Sequence, residues 1–235
     1  MSRPAAVVVA APGTNRDHDV AFALELAGAT PSIVSMAAVA ACPRLVTGAQ
    51  ILVVAGGFSH AAALGAGRRF AISLQQGLGE ALRAFVADGK PVLGICNGFQ
   101  TLVRAGLLPG ALGHNVGGGF QCEWVRLEPQ PSRCIWTREL EPFDCPIAHG
   151  EGRYVNADVT ALEHAGQVAL RYTVNPNGSV GDIAGVCDPS GVVLGLMPHP
   201  ENHVVARQHP LHTRRCGGAL GLHLFEHGVA HARSL

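Results

Sequence analysis

The chain has 235 residues, 48% hydrophobic and 14% charged, with seventeen Lys and Arg balanced by seventeen Asp and Glu. That length and apolar content suit one globular domain rather than two. A net charge of zero, with Lys90 the only lysine, excludes the basic footprint that nucleic acid or an anionic membrane surface would need.

In chain order, residues 5–11 read as a buried strand. The opening resembles a signal peptide, but its apolar core is short and is ended by Pro12 and Gly13, so a first strand is the better reading. A turn at Gly13 and Asn15 leads to a helix over 17–27, with Val20, Leu24 and Ala27 on one face and Asp17 and Asp19 at its N-terminus, where negative charge is favourable. Residues 32–34 and 49–54 read as strands, the second ending in Gly56-Gly57. A helix over 70–88, closed by Gly89, precedes a short apolar strand over 91–95. Strands alternating with helices of this length imply right-handed crossovers and a parallel sheet covered on both faces, an α/β doubly wound fold. After Pro109 the texture changes. Residues 120–128, the segment around Ile135, and 168–174 read as antiparallel strands. Residues 183–187 and 192–197 read as a hairpin around Asp188-Pro189-Ser190-Gly191, and an amphipathic helix over about 217–233 closes the chain. No internal repeat, linker or low-complexity segment interrupts it, and no apolar run reaches the length of a transmembrane helix.

Cys96 stands at the change of period. After the strand, Phe99, Leu102, Val103 and Leu107 recur at helical spacing from Asn97 onward, and Gly106 and Pro109 mark the helix end. Cys96 therefore lies on a strand-to-helix corner between Gly94 and Gly98, a setting that presents a nucleophile over a helix N-terminus. The positive end of the helix favours the thiolate, the form that attacks carbonyls. A small buried residue filling the corner is the competing reading, and it leaves the paired glycines unexplained.

Seven scattered cysteines, odd in number and without a Cys-x-x-Cys pair, do not make a disulfide framework and point to a reducing, cytoplasmic compartment. An acyl-transfer cysteine needs a proton carrier, a group to orient it, and donors aimed at the oxyanion. Among twelve histidines, His199 is set apart in Met197-Pro-His-Pro-Glu201, directly after a strand. Glu201 can hold one ring nitrogen while the other faces a thiol, a Cys-His-Glu triad by role; the competing reading is a surface histidine in a Pro-rich loop. Gly57 and the N–H of Asn97 would supply the oxyanion hole, unless the glycines mark only a turn. His199 and His203 have helical zinc-ligand spacing, but Pro200 between them and the lack of paired cysteines argue against a metal.

Gly94-Ile-Cys-Asn-Gly-Phe-Gln100 with Pro198-His-Pro-Glu201 resembles the class I (triad) glutamine amidotransferases. Pro12-Gly-Thr-Asn15 with Asp19, Gly56-Gly-Phe-Ser59, Ile147-Ala-His-Gly-Glu-Gly-Arg153 and Asn175-Pro-Asn-Gly-Ser179 with Ile183-Ala-Gly185 narrow it to the glutaminase subunits of phosphoribosylformylglycinamidine synthases. The resemblance spans nearly the whole chain. It implies a flavodoxin-like sheet, attack by Cys96 on the glutamine carboxamide, proton transfer by His199 oriented by Glu201, and oxyanion or substrate contacts at Gly57, Asn97 and Gln100. It also implies ammonia delivery to a large synthetase subunit, a small bridging subunit, and no cofactor in this chain, since ATP and magnesium are used by the synthetase. No nucleic-acid or membrane partner is implied.

Two departures bear on substrate capture or docking. The family stretch Tyr-Gly-Asp-Tyr-Leu-Arg-Ala-Gly is replaced here by His60-Ala-Ala-Ala-Leu-Gly-Ala-Gly67, and Asn202 stands where an arginine is common. Three other readings remain open at this level: a regulatory pseudo-enzyme subunit, a triad amidotransferase feeding a different synthetase, and a cysteine–histidine hydrolase or repair factor on a similar sheet. The intact triad opposes the first, and the family-specific stretches oppose the last.

Overall fold

The structure, a computed structural model, describes residues 2–58, 67–214 and 218–235. Continuous apolar runs place strands β1 (Ala5–Ala10), β3 (Ile51–Val54) and β4 (Val92–Ile95) in the middle of a sheet, where both faces are covered. β1 pairs in parallel with β2 (Thr30–Ser35) and β3, β3 with β4, and β4 with a strand from the far end of the chain, β11 (Val193–Leu196). Helix α1 (Asp17–Leu26) lies against the C-terminal α7 (Leu222–Arg233). Helix α4 (Arg68–Ala87) lies against α2 (Met36–Ala41) and α5 (Asn97–Arg104), and the four-residue α3 (Arg44–Thr47) precedes β3. α4 buries Phe70, Leu74, Leu78, Leu82 and Phe85, a row at spacings of three to four.

The sheet continues from β11 without a break through antiparallel strands: β10 (Ile183–Cys187), β9 (Val168–Tyr172), β6 (Gln121–Pro129) and the edge strand β7 (Phe143–His149). The nine described strands of this sheet thus run β2-β1-β3-β4-β11-β10-β9-β6-β7, parallel in the first five and antiparallel beyond. A separate two-stranded ribbon joins β5 (Ala111–Gly113) to β8 (Arg153–Val155), and α6 (Val159–His164) precedes β9. The expected doubly wound sheet and β-rich second half are present. The β10–β11 turn is held by Asp188, whose carboxylate accepts from Val193 N at 2.9 Å and Ser190 N at 3.0 Å.

Two expectations need correction. The segment around Ile135 is a loop of bends and turns, not a strand. Cys134, Ile135 and Trp136 are all buried, so there is no alternation for a half-buried strand to follow. Ile135 N donates to Gly191 O at 2.9 Å, and Trp136 Nε1 donates to Val192 O at 2.9 Å, which ties the loop to the hairpin turn. The closing helix begins at Leu222 rather than near 217, which lies outside the described residues. A Cβ on Gly221 would stand 2.4 Å from Pro200 O, so the chain before the helix passes tightly over the loop that carries His199. Among the described residues no helix is long and apolar enough to cross a membrane.

Candidate active site

The parallel register brings three loops to one edge of the sheet. Gly94 is level with Val54 and with Gly195, and Ile95 with Leu196, so the chain after β3, β4 and β11 emerges side by side. β3 leads to Gly56-Gly57, β4 to Cys96, and β11 to Met197-Pro198-His199. The loop after β1 joins them through the Thr14–Gly57 bridge and the Phe58 N to Gly13 O bond of 2.9 Å. A Cβ on Gly57, where φ is 139°, would meet Asn15 N at 2.7 Å and Gly13 O at 2.9 Å, so this approach requires glycine.

Cys96 caps α5 with φ 51° and ψ −105°, a conformation that L-residues avoid. Its N–H donates to Leu196 O at 2.8 Å and its C=O accepts from Gln100 N at 3.1 Å, so both neighbouring elements hold the strained residue in place. The flanking glycines serve packing. A Cβ on Gly98 would lie 1.9 Å from Val54 O, and one on Gly94 would lie 2.6 Å from Leu102 Cδ1 and 2.9 Å from Gly98 C. α5 can settle onto β3 and β4, and present Cys96, only because both side chains are absent.

His199 is buried, its N–H donating to Pro146 O of β7 at 2.8 Å. Its Nδ1 lies 2.7 Å from Glu201 Oε1, and Glu201 is fully buried in the short 3-10 turn Pro200–Asn202. With the carboxylate accepting from Nδ1–H, Nε2 is left for the thiol. A Cβ on Gly56 would be 2.9 Å from His199 Cε1 and 3.4 Å from Cys96 Cβ, so this glycine lies beneath both. Burial pulls the imidazolium down, but the Glu201 carboxylate and the Cys96 sulfur outweigh it and push His199 up to about 10. The imidazolium is therefore the resting form at neutral pH.

Beside the thiol is a cavity of about 220 Å³, lined by Gly57, Cys96, Asn97, Gln100, His149 and Glu151, with Phe58 and Phe120 also on its wall. A larger cavity, about 540 Å³ and lined by Arg126, His203 and His209, does not include any of these residues, and the smaller one is the candidate reaction site because it contains the strained cysteine. A model of the CobB/CobQ-like glutamine amidotransferase domain matches residues 3–232. The chain belongs to that family. This amidotransferase is 43% identical to the phosphoribosylformylglycinamidine synthase subunit PurQ of Treponema denticola, over 97% of this chain and 98% of the relative. It is 46% identical to PurQ of Parasynechococcus marenigrum, over 83% of this chain and 88% of that one. Among solved structures, PurLQS from Thermotoga maritima superposes with a TM-score of 0.80 at 37% identity, covering 97% of this chain and 98% of the other. A glutamine amidotransferase from Thermotoga maritima, 15% identical with a TM-score of 0.58 over 88% of this chain and 80% of its own, shares the fold.

The structure brings all six residues singled out in the sequence to this edge of the amidotransferase. Gln100 lines the cavity, but its amide is engaged: Oε1 accepts from Asn97 Nδ2 at 2.9 Å and Nε2 donates to Glu151 O at 2.6 Å. His203 points elsewhere, its Nδ1 2.5 Å from Asp144 O and its ring 5.2 Å from that of Trp124. Among the described residues no group of three or more His, Cys, Asp or Glu is placed to hold a metal. Asn202, where an arginine is common, donates to Asp19 Oδ2 at 3.1 Å and so ties the triad loop to α1. The altered segment over 60–66 lies outside the described residues.

Residue-level reasoning missed the wall that β7 supplies. Ala148 O lies 3.9 Å from Cys96 Sγ, and His149, Gly150 and Glu151 follow it into the cavity lining. His149 is buried, with Nδ1 3.2 Å from Asn115 Oδ1 and Nε2 without a hydrogen-bond partner among the described residues. Burial and then the nearby His199 charge lower its pKa to about 4, so it is neutral. The available signal was the glycine pair around Glu151, since a Cβ on Gly152 would fall 2.2 Å from the His149 ring.

Proposed function

We infer that this chain is the glutaminase subunit of phosphoribosylformylglycinamidine synthase, hydrolysing glutamine through Cys96, His199 and Glu201. The ammonia goes to a partner synthetase that converts formylglycinamide ribonucleotide to formylglycinamidine ribonucleotide in purine biosynthesis. The observation that carries the reading is the strained Cys96 set against the His199–Glu201 pair, 2.7 Å across its hydrogen bond. The Cys96 thiolate attacks the side-chain carbonyl carbon, and the oxyanion is met by the N–H groups of Gly57 and Asn97. The C–N bond breaks as the His199 imidazolium gives its proton to the departing ammonia. His199, now neutral, takes a proton from water, which attacks the glutamyl thioester and releases glutamate and the thiolate. Glu201 holds the ring in the required tautomer throughout. ATP and magnesium act in the synthetase, and a small third subunit bridges the two proteins.

The test is glutamate release measured with the synthetase, ATP and formylglycinamide ribonucleotide present. Cys96→Ala abolishes it, His199→Ala costs a comparable factor because the pair acts as a unit, and Glu201→Gln costs less. An unchanged rate in His199→Ala would remove this histidine from the mechanism.

A further inference from the structure

The cavity beside Cys96 has a one-sided charge. Among its described lining residues Glu151 carries the only carboxylate, and no lysine or arginine is present. His149 stays neutral and adds no positive charge. The Glu151 side chain is half-buried and has no hydrogen bond or ion pair among the described residues.

Its position is nevertheless set with care. The backbone of Glu151 is indexed to the nucleophile by a short relay: Asn97, next to Cys96, donates to Gln100 at 2.9 Å, and Gln100 donates to Glu151 O at 2.6 Å. From the other side, Gly152 N donates to Asn115 Oδ1 at 3.1 Å, and the His149 ring rests against Gly152. Glu151, whose backbone is held at a fixed offset from the reactive thiol, is the one carboxylate among the described lining residues of a cavity that has no lysine or arginine among them, and so suits one end of a zwitterion. Residues 59–66, the stretch in which the family has an aspartate, contain no acidic side chain.

We propose that Glu151 binds the α-ammonium of glutamine. The proposal rests on the glutaminase reading above and names the residue that selects an α-amino acid over a plain amide. The charge-assisted contact is made equally in the ground state and the transition state, so it acts on KM more than on kcat.

The experiment compares wild type, Glu151→Gln and Glu151→Asp, each in complex with the synthetase, on L-glutamine and on glutaramate, which keeps the carboxamide and lacks the α-amino group. Glu151→Gln raises KM for glutamine about tenfold, with kcat changed by less than about twofold. It leaves kcat/KM for glutaramate at the wild-type value, and Glu151→Asp falls between. Equal losses on both substrates, or an unchanged KM for glutamine, would overturn the role of Glu151 while leaving the glutaminase reading intact. Wild-type protein that releases ammonia from neither substrate would overturn the glutaminase reading and this inference together.

Discussion

His149 gives the fold an acid sensitivity whose size and window follow from its surroundings. In the native protein its pKa is lowered from 6.5 to about 4, first by burial and second by the neighbouring His199 charge. An unfolded chain binds the proton near 6.5, so between about pH 6.5 and 4 the unfolded state holds more protons than the native one. Stability therefore rises with pH across that window and is lost as the solution is acidified. The two pKa values give a loss of about 2 kcal/mol by pH 5 and about 3 kcal/mol by pH 4, relative to neutral pH. His199 works in the opposite direction and in a different window. Its raised pKa, about 10, gives a contribution fully present below pH 6.5 and lost as pH climbs toward 10, so it adds no slope on the acid side. The assay is reversible urea unfolding at intervals from pH 7 to pH 4, for wild type and His149→Phe. The comparison is between slopes, so a uniform loss of stability in the variant does not matter. Wild type should lose about 3 kcal/mol more than the variant over the range. Parallel pH profiles would refute the reasoning.

Two other predictions follow from the same corner. Gly98→Ala places a methyl 1.9 Å from Val54 O and forces α5 off the sheet, so it should cost about 1–3 kcal/mol by urea unfolding and lower glutamate release by displacing Cys96; full stability and activity would mean that α5 has room to move. A glutamine-like chloroketone should label Cys96 rapidly and spare buried Cys134, Cys145 and Cys187, read by peptide mass spectrometry; label on those three with Cys96 spared would remove the nucleophile.

Much of the site was legible because its parts are local. Strands β1, β3 and β4 are buried on both faces and so announce themselves as apolar runs. The strand-to-helix change at Cys96 and the two-residue step from His199 to Glu201 are also written within a few neighbours of each residue. Such signals do not depend on what the segment packs against.

Tertiary structure decided the rest. Strand β7 carries Pro146, which removes a ladder donor and makes the segment read as non-strand. It survives because β7 ends the strand order of the described sheet, with β6 as its one neighbouring strand there, and being an edge is a property of the assembled sheet. The carbonyl of that proline then receives the N–H of His199, and the end of the strand delivers Ala148, His149 and Glu151 to the cavity. The sequence determined which residues are chemically capable. Which of them meet was settled by the β4–β11 register and by β7 at the edge, since pairing between strands far apart in the chain leaves no mark in the local pattern of either one.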